Sequence, residues 1–189
     1  MARFGAQLER GEFDRIDVAF VEDKIATSPA GPAYRGSYAW ILAALGETER
    51  AGTELAAAMA YSHALDANWL SVQAECAEAC VLLGDTARAA ALYDRLAPYA
   101  GRPATAGRAT ISYGAVDRPL GGLAPLLGRH DDAVGHLRAA IRRNDELGAT
   151  VWRLHAQRRL HRIAPEDPLV ASAAETARAL GLAAFAPTA

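Results

Sequence analysis

The side chains best suited to acid–base chemistry stand close together at one place in the chain. His130, Asp131 and Asp132 are followed by His136, so imidazoles and carboxylates fall within two turns of one predicted helix. Such groups can transfer protons or bind a metal ion. The alternative is structural, because acidic residues in the first turn of a helix interact favourably with its dipole. We favour the structural interpretation, so the sequence predicts no catalytic residue and no enzymatic activity.

A second candidate for chemistry is the pair Cys76 and Cys80, one helical turn apart and close to Glu75 and Glu78. Two thiolates can contribute to a metal site, but a closed zinc site needs four ligands, and no further Cys or His follows at close spacing. Buried cysteines otherwise behave as small apolar residues. We therefore expect a buried, reduced pair, with no metal site and no cofactor.

The densest group of basic residues lies towards the C-terminal end of the chain. Its members are Arg153, His155, Arg158, Arg159, His161 and Arg162. Such a patch can hold an acidic segment or a phosphorylated ligand through charge-assisted hydrogen bonds. The alternative is a solvated helix face on which arginine stems cover apolar neighbours. We favour the solvated face.

Composition indicates which elements must position these groups. The 189 residues include 45 Ala, 21 Leu and 19 Arg but a single Lys. Because Ala, Leu and Arg are strong helix formers, the chain is predicted to be all-α. The net charge of −2, with scattered basic residues, argues against direct contact with nucleic acid. No apolar run reaches the ~18 residues of a membrane span and no signal-peptide core occurs, so we expect a cytoplasmic location without membrane insertion.

An internal repeat organises the predicted helices. Three segments align without gaps on Gly46, Gly84 and Gly128, and a weaker copy begins at Gly11. Five residues after each of the three glycines comes an alanine, and nine residues after it comes a large apolar residue; these are Ala51, Ala89 and Ala133, and Leu55, Tyr93 and Leu137. We expect each glycine to be the left-handed C-cap between two helices of a hairpin. The small residue lets the two helices approach closely.

The repeat predicts a single domain over residues 1–189, built from helical hairpins. The expected hairpins span about 2–26, 33–63, 69–98, 108–147 and 150–181. Within them the expected helices are 2–10, 12–26, 33–45, 48–63, 69–83, 86–98, 108–127, 130–147, 150–163 and 167–181. Pro119 and Pro125 predict a kink or break inside 108–127, and Asp167 is expected to cap the last helix. One hairpin cannot bury its apolar face alone, so the hairpins must stack.

The spacing of glycine, alanine and aromatic residues resembles the tetratricopeptide repeat (TPR), which implies antiparallel hairpins stacked as a right-handed solenoid. The segments Asp66–Leu70, Ala91–Arg102, Leu127–Ala133 and Asn144–Ala149 are further similar to the C-terminal repeat region of large actinobacterial ATPase regulators. Those regulators are related to the maltose-regulon activator and carry a LuxR-type DNA-binding domain or an adenylate-cyclase domain. The resemblance covers about residues 11–182. No G-x-x-x-x-G-K-[ST] phosphate loop occurs, so it implies a scaffold and sensor rather than an ATPase.

In TPR-like solenoids the first helix of each hairpin lines the concave surface. The resemblance therefore implies a groove that binds a peptide or a ligand, lined by Trp40, Trp69, Glu78, Tyr113, Asp117 and Arg118. The alternative is that Trp69 and Tyr113 pack between hairpins.

Three functions remain open. The first is a non-enzymatic protein-interaction or sensor module of a transcriptional regulator or signalling ATPase, which binds a protein segment or forms a homodimer. The second is a receptor for a small-molecule effector, with Trp40, Trp69, Tyr113 and Arg118 at its pocket. The third is a repurposed enzyme that uses the histidine and aspartate residues of the segment beginning at His130.

Overall fold

The computed structural model describes residues 2–60, 66–107, 109–182 and 185. Within them the chain folds as ten α-helices and one two-stranded sheet, so the predicted mostly helical architecture is confirmed. The helices are α1 (Ala2–Arg10), α2 (Val18–Thr27), α3 (Gly31–Ala44), α4 (Thr48–Met59), α5 (Trp69–Leu83), α6 (Thr86–Leu96), α7 (Asp117–Leu123), α8 (His130–Glu146), α9 (Thr150–Ile163) and α10 (Ala173–Ala179). The strands are β1 (Pro103–Ala106) and β2 (Ile111–Ala115).

The repeat glycines end their helices as predicted. Gly46, Gly84 and Gly128 have φ of +82°, +64° and +71°, a left-handed conformation that a β-carbon disfavours. At Gly84, the amide of the next residue, Asp85, donates to the Cys80 carbonyl at 3.0 Å, which satisfies one of the free carbonyls at the helix end. The Asp85 side chain then caps α6. The alanines five residues after these glycines are fully buried, as the close approach of helices requires.

The predicted helix 108–127 is wrong over its first half. Residue 108 lies outside the described residues, and Ile111–Ala115 forms β2, which pairs antiparallel with β1. Gly114 is incompatible with the predicted helix, because its φ is +73°, and it must be glycine, because a β-carbon there would lie 2.7 Å from the Trp152 side chain. The helix begins only at Asp117. It gives way to a 3-10 segment at Ala124–Leu127, the break that its prolines predict.

Two other predicted helices are shorter than expected. In place of 12–26, the chain makes a 3-10 turn at Phe13–Arg15 and α2 starts after the N-cap Asp17. In place of 167–181, Asp167 caps a 3-10 turn, and α10 follows. The predicted helix 48–63 is present as Thr48–Met59, and its positions 61–63 lie outside the described residues, as do residues 1, 183–184 and 186–189 of the predicted domain.

The core is formed where consecutive helices pack on one another. α3 packs against both α4 and α5, α7 packs against α8, and α8 packs against α9. β1 packs on α5, and β2 packs on α8 and α9. Among the described residues, no helix combines the length and apolar character needed to cross a bilayer.

Candidate functional site

A buried carboxylate marks the candidate site. Glu75 in α5 is 2% exposed, and its Oε1 accepts a hydrogen bond from the Ser37 hydroxyl of α3 at 2.6 Å. The Tyr113 hydroxyl also lies near this carboxylate. Two neutral hydroxyl groups, one from α3 and one from β2, therefore accompany one acidic side chain of α5.

A glycine makes this approach of α3 and α5 possible. A β-carbon on Gly36 would lie 2.8 Å from Glu75 Oε2 and 3.2 Å from the Val72 carbonyl oxygen. Contacts that short require the neighbouring atoms to move. The sequence Gly36-Ser37 thus provides both the space for the carboxylate and one of its donors.

The carboxylate forms part of the floor of a cavity, which we call the Glu75 cavity. Its volume is about 320 Å³, which falls at the lower end of the range for small-molecule sites. The polar side chains that line it are Tyr34, Ser37, Asn68, Ser71, Glu75, Thr110 and Tyr113. The remaining lining residues are Phe4, Ala30, Ala33, Ala106, Gly107 and Ile111, so the cavity lies between α1, α3, α5 and the β-hairpin.

The β-hairpin is held over this cavity from two sides. The Gly107 amide donates to Asn68 Oδ1 at 3.0 Å, which joins the turn of the hairpin to the start of α5. On the other side, Trp152 Nε1 donates to the Ser112 carbonyl at 2.9 Å. These bonds fix Tyr113 above Glu75.

Burial changes the protonation of both groups. Burial raises the pKa of Glu75 to about 7, although the hydrogen bonds from Ser37 and Tyr113 oppose the shift. Burial, followed by the neighbouring Glu75 carboxylate, raises the pKa of Tyr113 well above its ordinary value. Near neutral pH the cavity therefore holds a carboxyl group that is close to half ionised and a phenol that keeps its proton.

A second buried carboxylate lies one turn further along α5 and is fully paired. Glu78 is 3% exposed; its Oε1 lies 2.7 Å from Arg118 Nη1, and its Oε2 lies 2.5 Å from Arg159 Nη2. Burial opposes ionisation, but the two guanidinium groups outweigh it and hold the pKa of Glu78 below its ordinary value. We call these three residues the Glu78 cluster.

Aromatic rings enclose the Glu78 cluster. The Arg118 guanidinium carbon lies 4.6 Å from the centre of the Trp152 ring and 6.0 Å from that of Trp40. On its far side Trp152 stacks on His155 at 4.9 Å. Burial lowers the pKa of His155 to about 3, and the Arg118 charge adds to this effect. The cluster joins α5, α7 and α9 within the core.

The segment from His130 to His136, which was weighed as a possible acid–base site, does not converge on a single site. His130, Asp131 and Asp132 are exposed at the start of α8. His136 instead meets Tyr93, whose hydroxyl lies 2.8 Å from Nε2, and Asp117, whose Oδ1 lies 3.5 Å from Nδ1. Hydrogen bonds from His136 and the Gly101 amide hold the pKa of Asp117 below its ordinary value despite burial. This chain of contacts ties α6, α7 and α8 together.

The six residues predicted to line a groove are distributed over four environments. Tyr113 alone lines the Glu75 cavity, and it lies in a strand rather than on the predicted helix. Glu78, Arg118 and Trp40 belong to the buried interior, Asp117 contacts His136, and Trp69 packs on Tyr99 with 5.4 Å between ring centres.

The predicted basic patch is also partly buried rather than a solvated face. Arg159 enters the core to meet Glu78, and His155 lies between Trp152 and Phe185. The cysteines are buried and reduced, as expected. Burial raises the pKa of Cys80 to about 12, so its thiol is unreactive.

Sequence reasoning noted Glu75 only as a neighbour of the cysteines and did not single out Ser37. One signal was available, because Glu75 and Glu78 are the only charged residues in the fifteen of α5. Charges within a helix that is apolar on all sides are forced into the interior, where each needs a partner.

A second depression lies between α2, α3 and α4, but its charges are neutralised locally. Arg35 pairs with Glu54 at 2.5 Å, and Arg50 pairs with Glu22 at 2.8 Å. It opens widely to solvent, so we regard the Glu75 cavity as the stronger candidate site.

Comparisons with protein-family models, with curated proteins and with solved structures each return no match for this chain.

Proposed function

We propose that this chain is the ligand-sensing helical-repeat module of a cytoplasmic transcriptional regulator or signalling ATPase, and that it acts without catalysis. Its ligand would be a small, largely apolar molecule bound in the Glu75 cavity. One observation carries the proposal: Glu75, Ser37 and Tyr113 form a polar floor beneath walls that include Phe4 and Ile111. Apolar walls with a few convergent polar groups are typical of ligand sites.

The position of the cavity supports a sensing role. A molecule bound there would contact α3, α5 and the β-hairpin together. Ligand binding stabilises the arrangement that binds best, so it would favour the hairpin packed on α5. The signal that we propose is the increased population of the arrangement in which the hairpin packs on α5.

The repeat pattern supports the architectural part of the proposal. The left-handed glycines Gly46, Gly84 and Gly128 and the buried alanines that follow them are features expected of TPR-like hairpins. We propose that the hairpins stack as a right-handed solenoid.

A fragment screen tests the proposed function. The cavity of about 320 Å³ has room for about ten water molecules, since each occupies ~30 Å³ in the liquid. Fragments of about 10–15 non-hydrogen atoms therefore suit it. We expect hits that raise the melting temperature of the native chain and fail to stabilise Ala33→Phe, which fills the cavity from α3. Ala90→Phe places the same ring on an exposed position of α6 and should bind as the native chain does. Hits that bind Ala33→Phe equally well, or a screen with no hits, would refute the proposal.

A second candidate function is protein interaction or self-association. Leu45, Leu82, Leu147 and Leu180 are 39%, 50%, 41% and 43% exposed, and each stands one or two residues before a left-handed glycine. We propose that these large apolar side chains, repeated at helix ends, form a contact surface for a partner or for a second copy of the chain. Sedimentation of the native chain and of Leu82→Glu tests it: we expect a dimer that the substitution dissociates, with Leu45→Glu as a second probe. A native chain that is monomeric at all concentrations would exclude self-association.

A further inference from the structure

Building on the proposed function, we propose that the Glu75 cavity binds a protonated amine carried on a compact apolar body, with the Glu75 carboxylate as its counter-ion. The inference names the chemical class of the ligand, which the proposed function leaves open.

α5 carries two buried carboxylates. Glu75 and Glu78 are 2% and 3% exposed, so both have lost their hydration. Glu78 has two guanidinium partners, at 2.7 Å and 2.5 Å. Among the described residues, no Lys, Arg or His side chain forms a salt bridge with Glu75. A buried charge is stabilised by a paired cation, and within the described part of the chain Glu75 has none, so a ligand that carries a cation would supply one.

The polar groups that accompany Glu75 are neutral. The Ser37 hydroxyl donates a hydrogen bond to the carboxylate and the Tyr113 hydroxyl lies near it, and neither group compensates its charge. A carboxylate can accept about four hydrogen bonds, so an ammonium group can join these donors. An anionic ligand would meet like charge in a medium of low dielectric constant, which disfavours it.

The walls of the Glu75 cavity are largely apolar. Phe4, Ala33 and Ile111 offer apolar surface, which suits the body of the ligand and excludes water from the ion pair. The aromatic side chains of Tyr34 and Tyr113 also line the cavity, and aromatic faces attract cations. With about 320 Å³ available, the body is limited to about one ring and a short chain.

The experiment uses three probes that differ in one terminal group: 2-phenylethylamine, 2-phenylethanol and 3-phenylpropionate. Their affinities for the native 189-residue chain are measured by titration calorimetry and by ligand-observed NMR at pH 8, where Glu75 is mostly ionised. We expect the amine to bind at least tenfold more tightly than the alcohol and the carboxylate to show no binding. The alcohol should compete with the amine for binding, which would show that the two probes occupy the same cavity.

The matched variants are Glu75→Gln and Glu175→Gln, the latter on the exposed surface of α10. Glu75→Gln keeps the shape of the side chain and removes its charge, so it should bring the amine down to the affinity of the alcohol. Glu175→Gln should keep the preference of the native chain. Because Arg108 adjoins Gly107 in the sequence, Arg108→Ala is measured as well, and it should keep the preference for the amine.

A further measurement needs no variant. At pH 6, amine binding should release a proton from the Glu75 carboxyl to the buffer, which appears as a binding enthalpy that depends on the ionisation enthalpy of the buffer. This keeps the proposal testable if Glu75→Gln does not fold.

The outcomes separate the two proposals. Equal binding of amine and alcohol, blocked by Ala33→Phe, would leave the ligand-sensing function standing and overturn the amine class. Tighter binding of 3-phenylpropionate than of the amine would also refute the proposal that the ligand is an amine. So would a preference for the amine that is retained in Glu75→Gln. If none of the three probes binds, the amine class is refuted, and the fragment screen decides the function independently.

Discussion

Glu75 and Glu78 are buried to the same degree on one helix, and their surroundings give them opposite properties. Two guanidinium groups lower the pKa of Glu78 despite its burial. Burial raises the pKa of Glu75 to about 7, because its neutral hydrogen-bond donors oppose the shift only in part. A buried ion pair with good geometry holds helices in register, while a buried carboxyl without a cation is available to a ligand. The difference supports a structural role for Glu78 and is the basis of the binding role that we propose for Glu75.

The structural role of Glu78 predicts a large loss of stability on neutralisation. Glu78→Gln removes the charge that Arg118 and Arg159 share and leaves Arg118, which is 1% exposed, as an uncompensated cation. We expect the free energy of unfolding to fall by ~3–5 kcal/mol in urea denaturation followed by circular dichroism. The surface substitution Glu175→Gln should change it by less than ~0.5 kcal/mol. Equal effects of the two substitutions would contradict the assignment.

The raised pKa of Glu75 predicts a stability that declines with pH. The unfolded chain ionises near the ordinary value of 4.5 and the folded chain near 7, so the folded state binds more protons between them. Stability is therefore lost as pH rises through this window and stays low above it, by ~3 kcal/mol in total. The Tyr113 and Cys76 side chains that face Glu75 stay neutral throughout, because their pKa values are raised as well.

Urea denaturation at pH 5 and at pH 8 measures this effect. Glu75→Gln lacks the titrating group, so its stability relative to the native chain should improve between the two pH values. The control Glu175→Gln should follow the native chain at both. A difference between Glu75→Gln and the native chain that does not change with pH would show that the carboxyl is not perturbed.

At the scale of the elements, the β-hairpin is the part that completes the site. It contributes Tyr113 to the polar floor and Ile111 to the wall, and it is bonded to α5 through Asn68. Its own backbone depends on Gly114, which has φ of +73° and lies against Trp152. A side chain at this position therefore conflicts with both the strand and the core.

Two glycine-to-alanine substitutions should accordingly have opposite signs. Gly114→Ala is expected to destabilise the fold by more than ~2 kcal/mol, because it adds a positive-φ penalty to a contact of 2.7 Å with Trp152. Gly135→Ala lies on α8, with no heavy atom within 4 Å of its new β-carbon, and should stabilise by ~0.5–1 kcal/mol. Thermal unfolding of both variants measures the contrast. A neutral Gly114→Ala would mean that the hairpin is not held as described.

The helices were predictable because their signals are local. Each repeat glycine stands directly at the helix end that it caps, so Gly46, Gly84 and Gly128 could be assigned from spacing alone. The hairpin was missed because its cause is distant: Gly114 must be small on account of Trp152, 38 residues later. The pairing of Glu78 with Arg159 spans 81 residues, and no periodicity along the chain reports such a contact.

Across the whole molecule, one aromatic assembly connects the two ends of the chain. Trp152 stacks on His155, and His155 packs edge-on against Phe185 at 4.5 Å. His155 Nε2 lies 2.8 Å from the Glu9 carbonyl oxygen, which can only accept, so this nitrogen carries a proton. The contact anchors α1, the helix that supplies Phe4 to the cavity wall.

This anchor predicts acid sensitivity of the whole fold. The pKa of His155 is about 3 in the folded chain, while its ordinary value is 6.5, so the unfolded chain binds more protons between those values. Stability contributed by neutral His155 is therefore present above pH 6.5 and is lost as pH falls towards 3, by at most ~1.4 kcal/mol per pH unit. Over pH 4.5–6.5 this trend opposes that of Glu75, so the two are separated by substitution. In urea denaturation, the stability of His155→Gln relative to the native chain should improve as pH falls from 7 to 4, and that of the exposed His130→Gln should stay constant relative to the native chain. A difference between His155→Gln and the native chain that does not change with pH would show that His155 does not cause the acid sensitivity.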